Sequence, residues 1–177
     1  MRNILILLAV LMVFVACEKQ YDIKEYDIKD EVVIDTQTGL MWQRTKAPDA
    51  MEHADAIQYC ENLTLDGYSD WRLPSISELK TLIVDCQSGT GACKVSDDCL
   101  SYDCFSDSCY CETSQGPGED GYYWQPDVWK GGGSWFWSSS VRAGYSDLAW
   151  RVGFDNGLVY DGSRYNASSV RCVRGRP

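Results

Sequence analysis

Nine cysteines punctuate the 177 residues, and six of them, Cys86, Cys93, Cys99, Cys104, Cys109 and Cys111, crowd into one stretch. Around them, residues 85–127 carry nine acidic side chains against Lys94 alone, many Ser and Gly, and no periodic apolar pattern. A segment of this kind cannot bury enough apolar surface to order itself, so it needs covalent staples. Zinc is the other way to order a cysteine-rich loop, and it fits poorly. No Cys-x-x-Cys pair occurs, and His53 is the only histidine. The stretch reads as a long loop insertion held by its own disulfides, with the connectivity open. Its six cysteines can satisfy one another in three bridges. That leaves Cys60 and Cys172 as the remaining pair, far apart in sequence.

Disulfides imply an oxidising compartment, and the opening residues agree. Arg2 is followed by an uncharged apolar run over 4–15, too short for a membrane-spanning helix. Residues 1–16 are therefore expected to be a signal peptide. Phe14-Val15-Ala16-Cys17 resembles the acylation and cleavage site of bacterial lipoproteins, which makes Cys17 the expected lipidated residue and the membrane a partner through that anchor. Glu18, where Asp would retain the protein, resembles the pattern sorted to the outer membrane in a Gram-negative cell. Residues 17–31 then read as the lipidated N-terminus and a charged, flexible tether. It contains a tandem repeat, Tyr21-Asp22-Ile23-Lys24-Glu25 and Tyr26-Asp27-Ile28-Lys29-Asp30.

Removing the signal leaves about 160 residues, enough for one domain with a sizeable core. Arg2 is the only charge lost, so the formal charge of −10 becomes about −11. A polyanion of this kind repels nucleic acid and sulfated polymers, so neither is an expected partner.

Within the domain, 32–177, residues 32–44 read as a hairpin. Val32-Val33-Ile34 is β-rich, residues 35–39 carry turn chemistry, and Leu40-Met41-Trp42 is the return strand. Met51, Ala54, Ile57, Cys60 and Leu63 give a first helix its apolar stripe. Ser75 and Glu78 form a capping box for a second, with Leu79, Leu82 and Ile83 on its buried face. After the insertion come short aromatic strands at 135–137, 148–154, 158–160 and 169–174. Asp155-Asn156-Gly157 is a hairpin turn between two of them. Helices early and an antiparallel sheet late make an α+β fold: two helices packed on a small sheet, with a disulfide-rich insertion.

Several motifs occur together in order: the run Asp35-Thr36-Gln37-Thr38-Gly39-Leu40-Met41-Trp42-Gln43, Tyr59-Cys60, and the run Gly67-Tyr68-Ser69-Asp70-Trp71-Arg72-Leu73-Pro74. Glu78-Leu79, Trp137-Ser138-Ser139-Ser140 and Val170-Arg171-Cys172-Val173-Arg174 complete the series. It resembles the Lcl C-terminal domain family over about 32–174, outside the insertion. The resemblance implies an exported domain with a C-type lectin-like fold, related to that of the sulfatase-modifying enzymes. The adhesin that names the family is associated with polyanionic glycans, a ligand that the acidity of this chain opposes.

The residues of these motifs read as structural. Trp71 and Leu73 alternate with Arg72 and can share one face, leaving Arg72 to pair with Asp70 or Glu78. Ser138, Ser139 and Ser140 can satisfy backbone groups, and His53, expected to be exposed on the first helix, has nothing to place it beside them as a base. Gln125-Pro126-Asp127 matches a calcium and sugar tripeptide of galactose-type lectins, but the Trp-Asn-Asp that accompanies it there is missing. The acidic insertion reads as a solvated loop. No cofactor is expected, unless calcium through Asp97, Asp98, Asp103 and Asp107. The ligand-binding candidates are aromatic: Tyr123, Trp124, Trp129 and Trp135, beside the glycines 131–133. Trp137 and Trp150 are expected in the core; Tyr123, Trp124 and Trp129 partly exposed. The functional expectation is a membrane-anchored lipoprotein of the cell envelope, surface or periplasmic, acting as a non-catalytic binding module for glycan or protein. An enzyme of the sulfatase-modifying type and a purely structural envelope component are the alternatives.

Cys17 is expected to take up label from a supplied fatty acid. An unlabelled protein that washes free of membranes without detergent would overturn the anchor.

Overall fold

The computed structural model describes residues 24–112 and 115–175. The expected signal segment, Cys17 and the first part of the expected tether lie outside them. The fold is α+β, with two antiparallel sheets rather than one. The first has the order β1 (Tyr26–Ile28), β2 (Val32–Asp35), β3 (Met41–Gln43) and β7 (Val173–Arg174). The second runs β4 (Trp135–Val141), β5 (Leu148–Gly153), β6 (Leu158–Ser163). Helices α1 (His53–Glu61) and α2 (Ile76–Lys80) precede the insertion.

Local chemistry accounts for these elements. The β2–β3 turn closes because the Asp35 carboxylate accepts from the N–H groups of Gln37 (2.9 Å) and Thr38 (3.2 Å), while Gly39 takes φ +71°. The Ser75 hydroxyl accepts from Glu78 N–H and the Glu78 carboxylate accepts from Ser75 N–H, the capping box read from the sequence. Between β5 and β6, the Asn156 side chain accepts from Leu158 N–H and Gly157 sits at φ +61°.

Three sequence expectations need correction here. The second copy of the repeat is not tether: Tyr26–Ile28 pairs with β2, Tyr26 opposite Asp35. Tyr26 packs edge-on against Trp129 at 5.5 Å, and that contact draws the strand in. The buried face of α1 is His53, Ala56 and Cys60, with Ala54 exposed. A spacing of strictly three residues drifts off a helix face, and a polar residue had been left out of the stripe. Third, the insertion is not loop to its end. Tyr123 and Trp124 are core residues, continuous with Val128 and Trp129 just beyond it.

The insertion's bridges are concentric: Cys86–Cys111 encloses Cys93–Cys109, which encloses Cys99–Cys104. The buried ammonium of Lys80 ties them to α2, donating to the carbonyls of Cys93 (2.7 Å) and Val95 (2.6 Å). The long-range pair is Cys60–Cys172, from the core face of α1 to the final segment.

That final segment stitches the fold together. Ser168 exchanges two backbone hydrogen bonds with Met51. Ser169 bonds Trp135 and Trp137, and the Val170 carbonyl accepts from Ala47 N–H. The Cys172 carbonyl accepts from Gln43 N–H, and Val173 exchanges two bonds with Arg72.

The bridges should differ in worth. On the chain-entropy model a separation of 112 residues corresponds to about 4.8 kcal/mol and one of five to about 2 kcal/mol. The double variant Cys60→Ser, Cys172→Ser should lose at least twice the unfolding free energy lost by Cys99→Ser, Cys104→Ser, measured by denaturant titration. Equal losses would show that the long-range staple is not the dominant constraint.

Candidate functional site

The aromatic residues expected to bind ligand are drawn inward. Tyr123 is 0 % exposed, Trp124 5 % and Trp129 7 %, and Trp135 is half-buried. Three of these rings lie against arginines, two of them against the buried Arg171 and one against the half-buried Arg151. The Arg171 guanidinium lies 4.8 Å from the Trp129 centroid, 5.8 Å from Trp124 and 5.7 Å from Phe136. It donates to the carbonyls of Gln43 (2.8 Å), Arg44 and Lys130 (3.2 Å). Burial pulls its pKa down to about 9, which still leaves it charged at neutral pH. Trp135 lies under Arg151 at 4.3 Å. Trp137 and Trp150 are in the core, as read.

The acidic residues do not assemble either. Among the described residues no three His, Cys, Asp or Glu side chains converge on a point that could hold a metal ion. The Asp97 carboxylate accepts from Ser75 Oγ (2.7 Å) and Ser140 Oγ (3.2 Å), fastening the insertion to the start of α2. Asp98, Asp103 and Asp107 are exposed, where like charges gain by staying apart in water. Asp127 of the lectin-like tripeptide takes φ +61°, and its backbone carbonyl, not its carboxylate, is held, by Arg44.

His53 is fully buried rather than exposed. Its Nε2–H donates to the Ser138 carbonyl (2.8 Å) and its Nδ1 accepts from Arg164 Nε (3.1 Å), an arrangement that requires the neutral ring. Its edge meets Trp137 at 5.3 Å. His53 thus lies beside the serine run after all, but on a carbonyl. The Ser138 hydroxyl donates elsewhere, to Trp150 O at 2.6 Å, so no proton relay links the two. The Ser140 hydroxyl caps Ile76 N–H, and Ser139 Oγ donates to Pro74 O. Arg72 forks onto Glu78 (2.7 and 2.6 Å), and Asp70 instead receives Arg174.

The exposed aromatics lie elsewhere. Tyr102 (42 % exposed) sits in the innermost loop of the insertion, and Tyr145 (53 %) in the β4–β5 turn. Between them lies Arg142, its guanidinium 4.6 Å from the Tyr102 centroid and 4.2 Å from that of Tyr145. Phe105 stacks on Tyr102 at 5.4 Å, and Tyr160 of β6 meets Phe105 edge-on at 5.1 Å. Arg142 Nη1 donates to Asp161 at 2.8 Å, and that bond raises the arginine's pKa. A hydrogen bond with Tyr102 raises that of Tyr160.

The local chain explains the assembly. The turn closes through Arg142 N–H to Leu148 O and Tyr145 N–H to Arg142 O, with Gly144 at φ +81°. The Leu100 carbonyl accepts from both Ala143 N–H (2.9 Å) and Trp150 Nε1 (3.0 Å), docking the insertion against the sheet. The sequence held one signal for this face. Tyr102 and Phe105 bracket Cys104 in a stretch with no apolar pattern, so they had no helix or strand face to serve. A cleft of about 160 Å³ is lined by Glu52, Ala54, Ser146, Asp147, Arg164 and Tyr165.

A family model described as the Lcl C-terminal domain matches residues 31–174. No match is found among curated proteins.

His53 gives the fold a pH dependence. Burial, with help from Arg164, lowers its pKa against the opposing pull of the Ser138 carbonyl. The unfolded chain takes up this proton near pH 6.5, about the model-peptide value, and the folded one resists it. The stabilisation is whole above that pH and is lost as pH falls from it toward the depressed native value. Asp70, lowered by its bond to Arg174, titrates in a separate and more acidic window. Unfolding free energy should fall between about pH 7 and pH 5, and the decline should flatten in His53→Gln. An unchanged slope in that variant would place the effect elsewhere.

Proposed function

We propose, from the premise that the chain belongs to the Lcl C-terminal domain family, that it is an exported lipoprotein of the cell envelope whose domain binds a ligand and does no chemistry on it. In this reading Cys17 carries the lipid, the segment before β1 spans the gap to the membrane, and the domain has the C-type lectin-like fold. The ligand is a glycan or a protein. Glu18 assigns the anchor to the outer membrane in a Gram-negative cell.

The observation that carries the reading is the use of cysteine. All eight cysteines beyond Cys17 are joined in four bridges. That supports an oxidising compartment and leaves the domain no thiolate for the copper or sulfur chemistry of a sulfatase-modifying type of enzyme. The hydrogen bonds of Ser138 and His53 weigh against the other common nucleophile.

Thiol titration of the membrane-extracted protein, folded and then unfolded without reductant, should find no reactive thiol in either state. A pair of thiols free in the folded protein would revive the enzyme reading and sink this one.

A further inference from the structure

Tyr102 and Tyr145 stay exposed on either side of the Arg142 guanidinium, above a base of Phe105, Tyr160 and Asp161 that docks the insertion on the sheet, and we infer that this face is a binding site for an uncharged saccharide. The inference deepens the non-catalytic reading above by naming the ligand's class and the residues that hold it.

Exposed aromatic rings are ordinary when scattered and informative when gathered. Here an exposed ring from the insertion and one from the β4–β5 turn flank a single guanidinium, two sequence-distant segments meeting at one spot. The rings are also fixed. The Cys99–Cys104 bridge closes the loop that carries Tyr102, and two hydrogen bonds hold its Leu100 carbonyl. Tyr145 belongs to a hydrogen-bonded turn, and Arg142 is tied to Asp161. A ligand meeting this face has little ordering left to do, the condition under which a small contact area yields useful affinity.

Size separates the two classes of ligand. A tyrosine offers about 150–250 Å². Exposures of 42 % and 53 % therefore leave roughly 200 Å² of Tyr102 and Tyr145 uncovered. A specific protein interface needs about 800 Å² from each partner. One or two sugar rings need far less, and their flat C–H faces suit aromatic surfaces. Charge separates anionic from neutral sugars. The one cation of the face is already met by Asp161 at 2.8 Å. Asp103 adjoins Tyr102 in sequence, Asp147 follows Tyr145 by two, and the chain carries −10 overall. A carboxylate or sulfate on the ligand would meet net repulsion. Sugar hydroxyls would not: they can accept from the guanidinium and donate to the carboxylate and phenol oxygens.

The test is an array of uncharged hexose and N-acetylhexosamine di- to tetrasaccharides probed with the full chain in detergent. One or more saccharides should be retained. Tyr145→Ala should weaken retention by at least about tenfold, about 1.4 kcal/mol, at unchanged melting temperature, and Tyr102→Ala, which also gives up its contacts with Phe105 and Arg142, should weaken retention by as much. Tyr145→Phe, which keeps the ring, and Tyr165→Ala, a tyrosine of the cleft that is 73 % exposed, should bind as the unaltered chain does. Retention should change little with salt. Three results overturn the site: no saccharide retained, retention indifferent to Tyr102 and Tyr145, or retention that falls steeply with added salt. The thiol titration is independent of all of them, so the failure of this site and the failure of the non-catalytic reading are told apart.

Discussion

The most deeply buried arginine, Arg171, organises the meeting of the two sheets. Arg171 is 1 % exposed, and the groups that answer its charge are three backbone carbonyls and the faces of Trp129, Trp124 and Phe136. Those carbonyls belong to the end of β3 and to Lys130 beyond the insertion. The next residue is bridged to α1 through Cys60, and the residue two before bonds β4. Burying a charge without an opposite charge is costly, and the cost is met only if its hydrogen bonds are made with good geometry. The cation also gains from π faces in a dry setting. Each element it touches must therefore be in place before the arginine can be accommodated, which makes the packing cooperative.

The same demand explains where the aromatic residues went. Rings beside glycines in an acidic loop look free for a ligand, but a buried guanidinium needs them more. Tyr26 follows the same logic: it leaves the tether to pack on Trp129, and burial raises its phenol pKa. The Asp70-Trp71-Arg72-Leu73-Pro74 run is likewise spent on the fold. Asp70 holds Arg174, which also lies 3.8 Å from the Tyr68 ring centroid. Trp71 and Leu73 enter the second core cluster, and Arg72 braces the helix cap. A conspicuous motif can thus be a set of joints, and the chemistry-ready surface can fall on residues that belong to no motif.

What could be read in advance was what depends on neighbours in sequence. The Asp35 turn, the Ser75–Glu78 box and the Asp155-Asn156-Gly157 turn are decided within a few residues. Cys60–Cys172 was legible for a different reason, since counting left few alternatives. The polar residues of the core were not legible. Nothing near His53 announces that Ser138 and Arg164 will supply its partners from 85 and 111 residues away. Nor does the insertion announce that its last residues, with Tyr123 and Trp124, will join the core together with Val95 and the bridged cysteines of its middle. The Tyr102–Arg142–Tyr145 face was hidden for the same reason, because its halves lie on segments about 40 residues apart that long-range contacts, those of Leu100 among them, bring together.

The position of the stitching segment has a consequence for biogenesis. A polypeptide emerges from ribosome or translocon with its N-terminus first, so Cys60 arrives early and Cys172 almost last. All six insertion cysteines emerge in between, and each is a chemically competent partner for the waiting thiolate. The order of arrival thus favours wrong pairings, and the correct one becomes available only when nearly the whole domain is free. The domain should mature late and all at once, and a shuffling catalyst that rearranges mispaired bridges would set its yield more than the intrinsic stability of the finished molecule does.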